Sequence, residues 1–134
     1  MIYVFDLTVP ANTPSTAPAT LDCEIDPGVV SQAEVVFPPG CAGLVRCAIY
    51  RALTQLWPRN PDSSFRGDGE TIRWSEDYQV WEEPFVFVFK GWSDDDTFDH
   101  VLTLRVNVLR TQDLAGGARA SGLPDYLRNV LISD

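Results

Sequence analysis

The densest run of chemically capable side chains lies in GWSDDDTFDHVLTLRVNVL (91–109), where Asp94, Asp95, Asp96 and Asp99 precede His100, the only histidine of the chain. Carboxylates grouped in a turn are hard oxygen donors of the kind Ca²⁺ takes, so Asp94, Asp96 and Asp99 are the candidate metal ligands. The spacing departs from an EF-hand loop, which needs glycine at its sixth position and glutamate at its twelfth. Asp and Ser also bond their own backbone in tight turns, and a plain hairpin turn is the favoured reading. No cofactor is expected, with Ca²⁺ at this turn as the exception to test. His100 lacks the further Cys or His ligands that zinc would require. Strand alternation puts it on an inward face, where an imidazole bonds a nearby carbonyl or carboxylate. No GxSxG or HExxH motif is present, so no catalytic residue is predicted, and the chain is read as a non-enzyme.

The tryptophans are a second candidate. Trp57, Trp81 and Trp92 lie next to turns or prolines, where a rim position would let their faces stack a sugar or a peptide; packing in a core or interface is the competing use of aromatics. Glu70, Glu76, Asp77, Glu82 and Glu83 are numerous enough to supply a carboxylate pair, but nothing in the sequence fixes two of them at a glycosidase separation. Charges on strand edges also discourage aggregation. The stretch VFPPGCAGLV (36–45) is turn chemistry: prolines fix φ, and Gly40 permits a conformation other residues resist. A phosphate cradle would need a following helix and the P-loop lysine.

The elements that must position these groups are mostly strands. IYVFDLTV (2–9) is rich in β-branched and aromatic residues. PANTPSTAPAT (10–20) is an extended connection, because its prolines remove donors and restrict their neighbours. LDCEI (21–25) and VVSQAEVVF (29–37) follow as strands around Pro27–Gly28. Residues 44–57 are expected as one strand, 58–70 as a polar loop, and TIRW and QVWEE as short strands around SEDY. In PFVFVFKGW (84–92) Phe85, Phe87 and Phe89 share one face and valines the other, which predicts a central strand covered on both sides. The last strand, 99–109, sets His100, Leu102, Leu104, Val106 and Val108 against Val101, Thr103, Arg105 and Asn107, a buried/solvated alternation. Short strands between Pro/Gly turns predict an all-β chain: an antiparallel β-sandwich or jelly roll of seven or eight strands over residues 1–110. Residues 111–134 read as a linker and an amphipathic arm, with Pro124 near a helix N1 position and Leu123, Leu127, Val130 and Leu131 on one stripe. A helix that short is marginal alone, so the stripe is expected to contact its own sandwich or a neighbouring subunit.

The 134 residues, 45 % of them hydrophobic, suffice for one domain with a packed core. A net charge of −9 opposes nucleic-acid grooves and anionic membrane surfaces. The opening MIYVFDLTVP lacks a basic n-region, and no apolar run approaches the roughly 18 residues of a membrane helix. Cys23, Cys41 and Cys47 are odd in number without a CxxC, which favours reduced thiols and cytoplasmic synthesis.

Four segments together, TVPANTPSTAPAT, VVFPPGCAGLVRCAIY, QLWPRN and PFVFVFKGWSDDDTFDHVLTLRVNVL, give a layout that resembles small β-sandwich structural proteins of tailed-phage virions. The resemblance spans about residues 6 to 109 and carries no catalytic residues across. It implies a capsid decoration or other head-surface protein on the virion, made in the host cytoplasm. Such a protein would assemble with itself, as a trimer, and with the major capsid protein. The alternative from the residues themselves is a carbohydrate- or peptide-binding sandwich, Ca²⁺-dependent if the aspartate turn holds an ion.

Overall fold

The computed structural model describes residues 1–110; the arm with Leu123, Leu127, Val130 and Leu131 lies outside the described residues. Two antiparallel sheets face each other. The first holds β1 (Ile2–Val9), β9 (His100–Leu109), β3 (Gly28–Phe37) and β7 (Glu70–Val80), in that order. The second runs β2 (Ala19–Glu24), β8 (Val86–Ser93), β4 (Val45–Arg51) and β5 (Thr54–Trp57), and the short β6 (Phe65–Arg66) pairs with β4. Apart from the β4–β5 hairpin and β6, successive strands cross from one sheet to the other, so hydrogen-bonded neighbours are distant in sequence. This is the jelly-roll form of the sandwich. Among the described residues there is no helix.

The core follows from period-two alternation. His100, Leu102, Leu104, Val106 and Val108 are all buried on β9, as expected, while Val101 and Arg105 face solvent. Opposite them stand Phe87 and Phe89 of β8 and Cys47 and Ile49 of β4. A bulge at Ser31 shifts the register of β3 against both neighbours, which is how Val30 shares the core face with Ala33, Val35 and Phe37 although it lies an odd number of positions from them. Gly91 lies in the middle of β8, where a Cβ would stand 2.7 Å from Val9 Cγ2; its missing side chain lets β1 approach the second sheet.

Three expectations need correction. Residues 44–57 form the β4–β5 hairpin rather than one strand; Ala52, with φ of 53°, and Leu53 make the turn without a glycine or proline to announce it. TIRW (71–74) and the first two residues of QVWEE, Gln79 and Val80, belong to one long strand, β7, because Ser75 and Asp77 are the solvent side of its alternation rather than a break, while Trp81, Glu82 and Glu83 lie beyond its end. β8 is internal to its sheet as predicted, but Val86 and Val88 are only half-buried. Nothing among the described residues packs as a layer over that outer face, so the apolar run there reflects cross-strand neighbours such as Tyr50, paired with Val88.

Candidate functional site

The aspartate turn closes one end of the sandwich between β8 and β9. Its four carboxylates part company there. Asp95 points inward, only 8 % exposed, whereas Asp94, Asp96 and Asp99 are exposed. Asp95 Oδ2 lies 2.7 Å from His100 Nε2, and its Oδ1 accepts from the backbone N–H groups of Thr97 (2.9 Å) and Phe98 (3.3 Å). The Asp95 N–H donates to Ser93 Oγ at 3.0 Å. This is an Asx turn, with a histidine locking the outer carboxylate oxygen. The hydrogen bond to His100 is the main reason the Asp95 carboxyl is held below its ordinary value of 3.8, and the Thr97 N–H adds to it.

The turn also gathers distant segments. Asn12 N–H donates to Asp95 O, Ser93 N–H to Thr13 O, and Asp94 N–H to Leu44 O. Asp99 Oδ1 accepts from Ala11 N–H at 2.9 Å, and Asp96 Oδ1 from Thr97 Oγ1 at 2.8 Å. The three candidate ligands are thus not brought to one point: Asp96 serves the neighbouring Thr97 hydroxyl and Asp99 a backbone N–H of the distant 11–13 segment. Among the described residues no group of three or more His, Cys, Asp or Glu side chains is placed to hold a metal ion. What the arrangement does chemically is tie residues 11–13 and 41–44 to the β8–β9 turn. The sequence placed His100 inward with a carbonyl or carboxylate partner but did not single out Asp95; the D-x-T spacing of an Asx turn is the signal that marks it.

The tryptophans divide as well. Trp57 is buried at 3 % exposure, the packing use of its ring rather than the rim use. β5, the last strand of the second sheet, turns the Trp57 ring into the space between the sheets, where it meets Trp74, Tyr78 and Phe87 at 5.7, 5.9 and 5.4 Å. Its indole N–H donates to Glu76 Oε1 at 2.8 Å, which also accounts for an acidic residue on the inward side of β7. Trp81 is half-buried beside Arg51, Gln79, Glu82 and Glu83, and its N–H donates to Gln79 Oε1 at 3.2 Å. Arg51, not anticipated from the sequence, clamps this corner by donating to the carbonyls of Pro84 and Glu82 and to Tyr78 Oη. Trp92 is half-buried on the outer face of the second sheet, in an open groove of about 300 Å³ lined also by Ser15, Tyr50, Gln55, Asp62 and Ser63. Two of those groups are already used: Tyr50 Oη donates to Gln55 Oε1, and Gln55 Nε2 donates to the carbonyls of Pro58 and Ser63. Lys90 Nζ sits 4.2 Å from the centre of the Tyr50 ring.

The cysteines are buried free thiols. Burial pushes Cys23 up to about 12 and raises Cys41 and Cys47 as well. A thiolate nucleophile at neutral pH is therefore disfavoured at all three. In native protein at pH 7 none should react with an aromatic disulfide reagent on a minutes timescale, and all three should react in denaturant. Rapid labelling of one native thiol would show that its surroundings open readily.

No family model and no curated protein matches the sequence. Among solved structures the chain is similar to the Yersinia pseudotuberculosis-derived mitogen, with 7 % identity, 81 % of this chain and 86 % of that one covered, and a TM-score of 0.48. It is also similar to PirA, at 14 % identity, 78 % and 94 % coverage and a TM-score of 0.41. The disulfide-linked pilus subunit of Bacillus endospore appendages gives 11 % identity, 81 % and 88 % coverage and a TM-score of 0.39. Likenesses of this order carry no function to the chain.

Proposed function

We propose that this chain is a non-enzymatic structural protein of a tailed-phage virion, which assembles with copies of itself on the head surface against the major capsid protein. The observation that carries the reading is where the apolar and polar groups are spent. The buried polar side chains Ser93, Asp95 and His100 bond one another and their own turn. Large apolar side chains meanwhile stand in solvent: Ile2, Val4, Leu44, Leu53, Phe98 and Val101. Exposed apolar groups of this size suit contact with other proteins better than turnover of a small substrate. The phage-like layout of the sequence points the same way. Leu123, Leu127, Val130 and Leu131 are the proposed partner-binding stripe of the arm.

The test is co-sedimentation with capsids of the same phage assembled without this protein. Saturable binding with a fixed copy number per capsid is expected, and Leu127→Asp with Val130→Asp should weaken it while leaving the melting curve unchanged. Failure to bind such capsids at any concentration would overturn the reading. A second reading, a carbohydrate- or peptide-binding module, is favoured by Trp92 in its groove alone. It predicts quenching of tryptophan fluorescence by a member of a glycan panel and loss of that response in Trp92→Ala. In its Ca²⁺-dependent form it also predicts a lower melting temperature in EDTA.

A further inference from the structure

Among the described residues β1 is an edge strand, and its own sequence does nothing to blunt it. It runs in unbroken register along β9, from Ile2 opposite Asn107 to Val9 opposite His100, and its other side pairs with no described strand. Edges are usually protected by proline, lysine, a bulge or shortness. IYVFDLTV has none of these, and its single charge, Asp6, is engaged by Thr103 Oγ1 at 2.7 Å.

The ladder shows which groups are left over. Met1 and Val108 exchange both backbone bonds, N to O at 2.9 Å and O to N at 2.8 Å. In an antiparallel pair such exchanges recur at every second residue, so Tyr3, Phe5, Leu7 and Val9 turn their N–H and C=O toward β9. Ile2, Val4, Asp6 and Thr8 turn theirs to the open edge. The same residues carry exposed side chains on the outer face, Ile2 at 68 % and Val4 at 57 %. On the other face Tyr3 and Phe5 are stacked with centroids 6.1 Å apart and only half-buried. Backbone and both faces are thus incomplete at one place.

We infer that this edge is a two-fold seam at which a second copy of the chain adds its own β1 antiparallel, joining two four-stranded sheets into one. The strand is complementary to itself in one register. With the axis at Phe5, Ile2 pairs with the second copy's Thr8 and Val4 with its Asp6, so all four edge residues bond at once. Asp6 then never faces Asp6, and the two Phe5 rings meet at the axis. Centring on Val4 or Asp6 would leave edge groups unpaired, and the latter would oppose two carboxylates. A symmetric, isologous contact is the usual way two identical edges close. The seam deepens the assembly reading, on which it rests for its biological role, and it puts a two-fold axis where the sequence suggested a three-fold one.

The experiment is the solution mass of the full chain by light scattering across concentration, with amide hydrogen exchange on the same samples. An even-numbered oligomer is expected, with Ile2, Val4, Asp6 and Thr8 amides protected. Val4→Pro removes only an edge-facing N–H, which an edge strand tolerates; it should raise the dissociation constant more than tenfold and expose those amides without altering the fold. If that variant misfolds, Val4→Lys tests the same edge. Retention of the wild-type mass by a folded variant overturns the seam, as does an odd-numbered oligomer or a monomer with exposed edge amides. Edge amides protected in a concentration-independent monomer would mean that residues 111–134 cover β1 instead, and would also overturn it. Capsid binding that survives Val4→Pro would leave the assembly reading standing while the seam falls.

Discussion

Replacing Trp57 by alanine is expected to lower the unfolding free energy by about 3–5 kcal/mol, the usual range for emptying a large aromatic site in a core. The ring is almost wholly buried and is the hub of an aromatic cluster: Trp74, Tyr78 and Phe87 all pack on it. Its removal also strands Glu76, whose carboxylate accepts the indole N–H. Because domains of this size are stable by only about 5–15 kcal/mol, the variant should unfold at markedly lower urea by circular dichroism. The measurement also separates two roles for this residue. A ligand-stacking tryptophan at a rim would lose binding and keep its denaturation midpoint. Trp57→Phe should recover part of the loss, since it refills the cavity but not the bond to Glu76.

Replacing His100 by alanine is expected to destabilise the fold by about 1–3 kcal/mol, through loss of a buried hydrogen bond and of its acceptor's partner. The effect should be local in its pattern. The amides of Asn12, Ser93 and Asp94 report on the turn that Asp95 organises, and their exchange should accelerate while that of central β9 does not. pH supplies the second readout. The Asp95 carboxyl is held below its ordinary value in the fold, chiefly by His100. A carboxyl depressed in the folded state stabilises it above the ordinary pKa, and that contribution is lost as pH falls through the depressed folded value. Wild-type stability should therefore drop as pH falls below about 3.8. Asp95→Asn should remove that component of the acid response. An acid limb unchanged in Asp95→Asn would show that other carboxylates dominate it and that the pair is minor.

Much of the architecture could be read before folding was known, and the reason is periodicity. β9 declares its buried face residue by residue, because a strand covered on one side must alternate. The same alternation placed His100 inward, and the structure supplied Asp95 as its partner. Where two meanings of one residue compete, the linear pattern fails. Polar residues in SEDY look like a turn, yet on β7 they are the wet side of a long strand with one glutamate turned in to meet Trp57. Residues 44–57 look like one strand because Ala52 and Leu53 carry no turn signal, and the hairpin is settled by β4 and β5 pairing in the second sheet.

The class of fold, the inward set of β9 and the turn character of the aspartate run are legible in the linear chain, since each depends on sequence neighbours. Which aspartate is buried, which tryptophan is core and which backbone groups lack a partner among the described residues follow instead from how the strands pair. Those are properties of strand order. A jelly roll brings β1 beside β9 and β5 over β7, so which groups are satisfied depends on residues up to a hundred positions away. No local pattern encodes that pairing, and β1 is an edge among the described strands because the order β1-β9-β3-β7 gives it one neighbour.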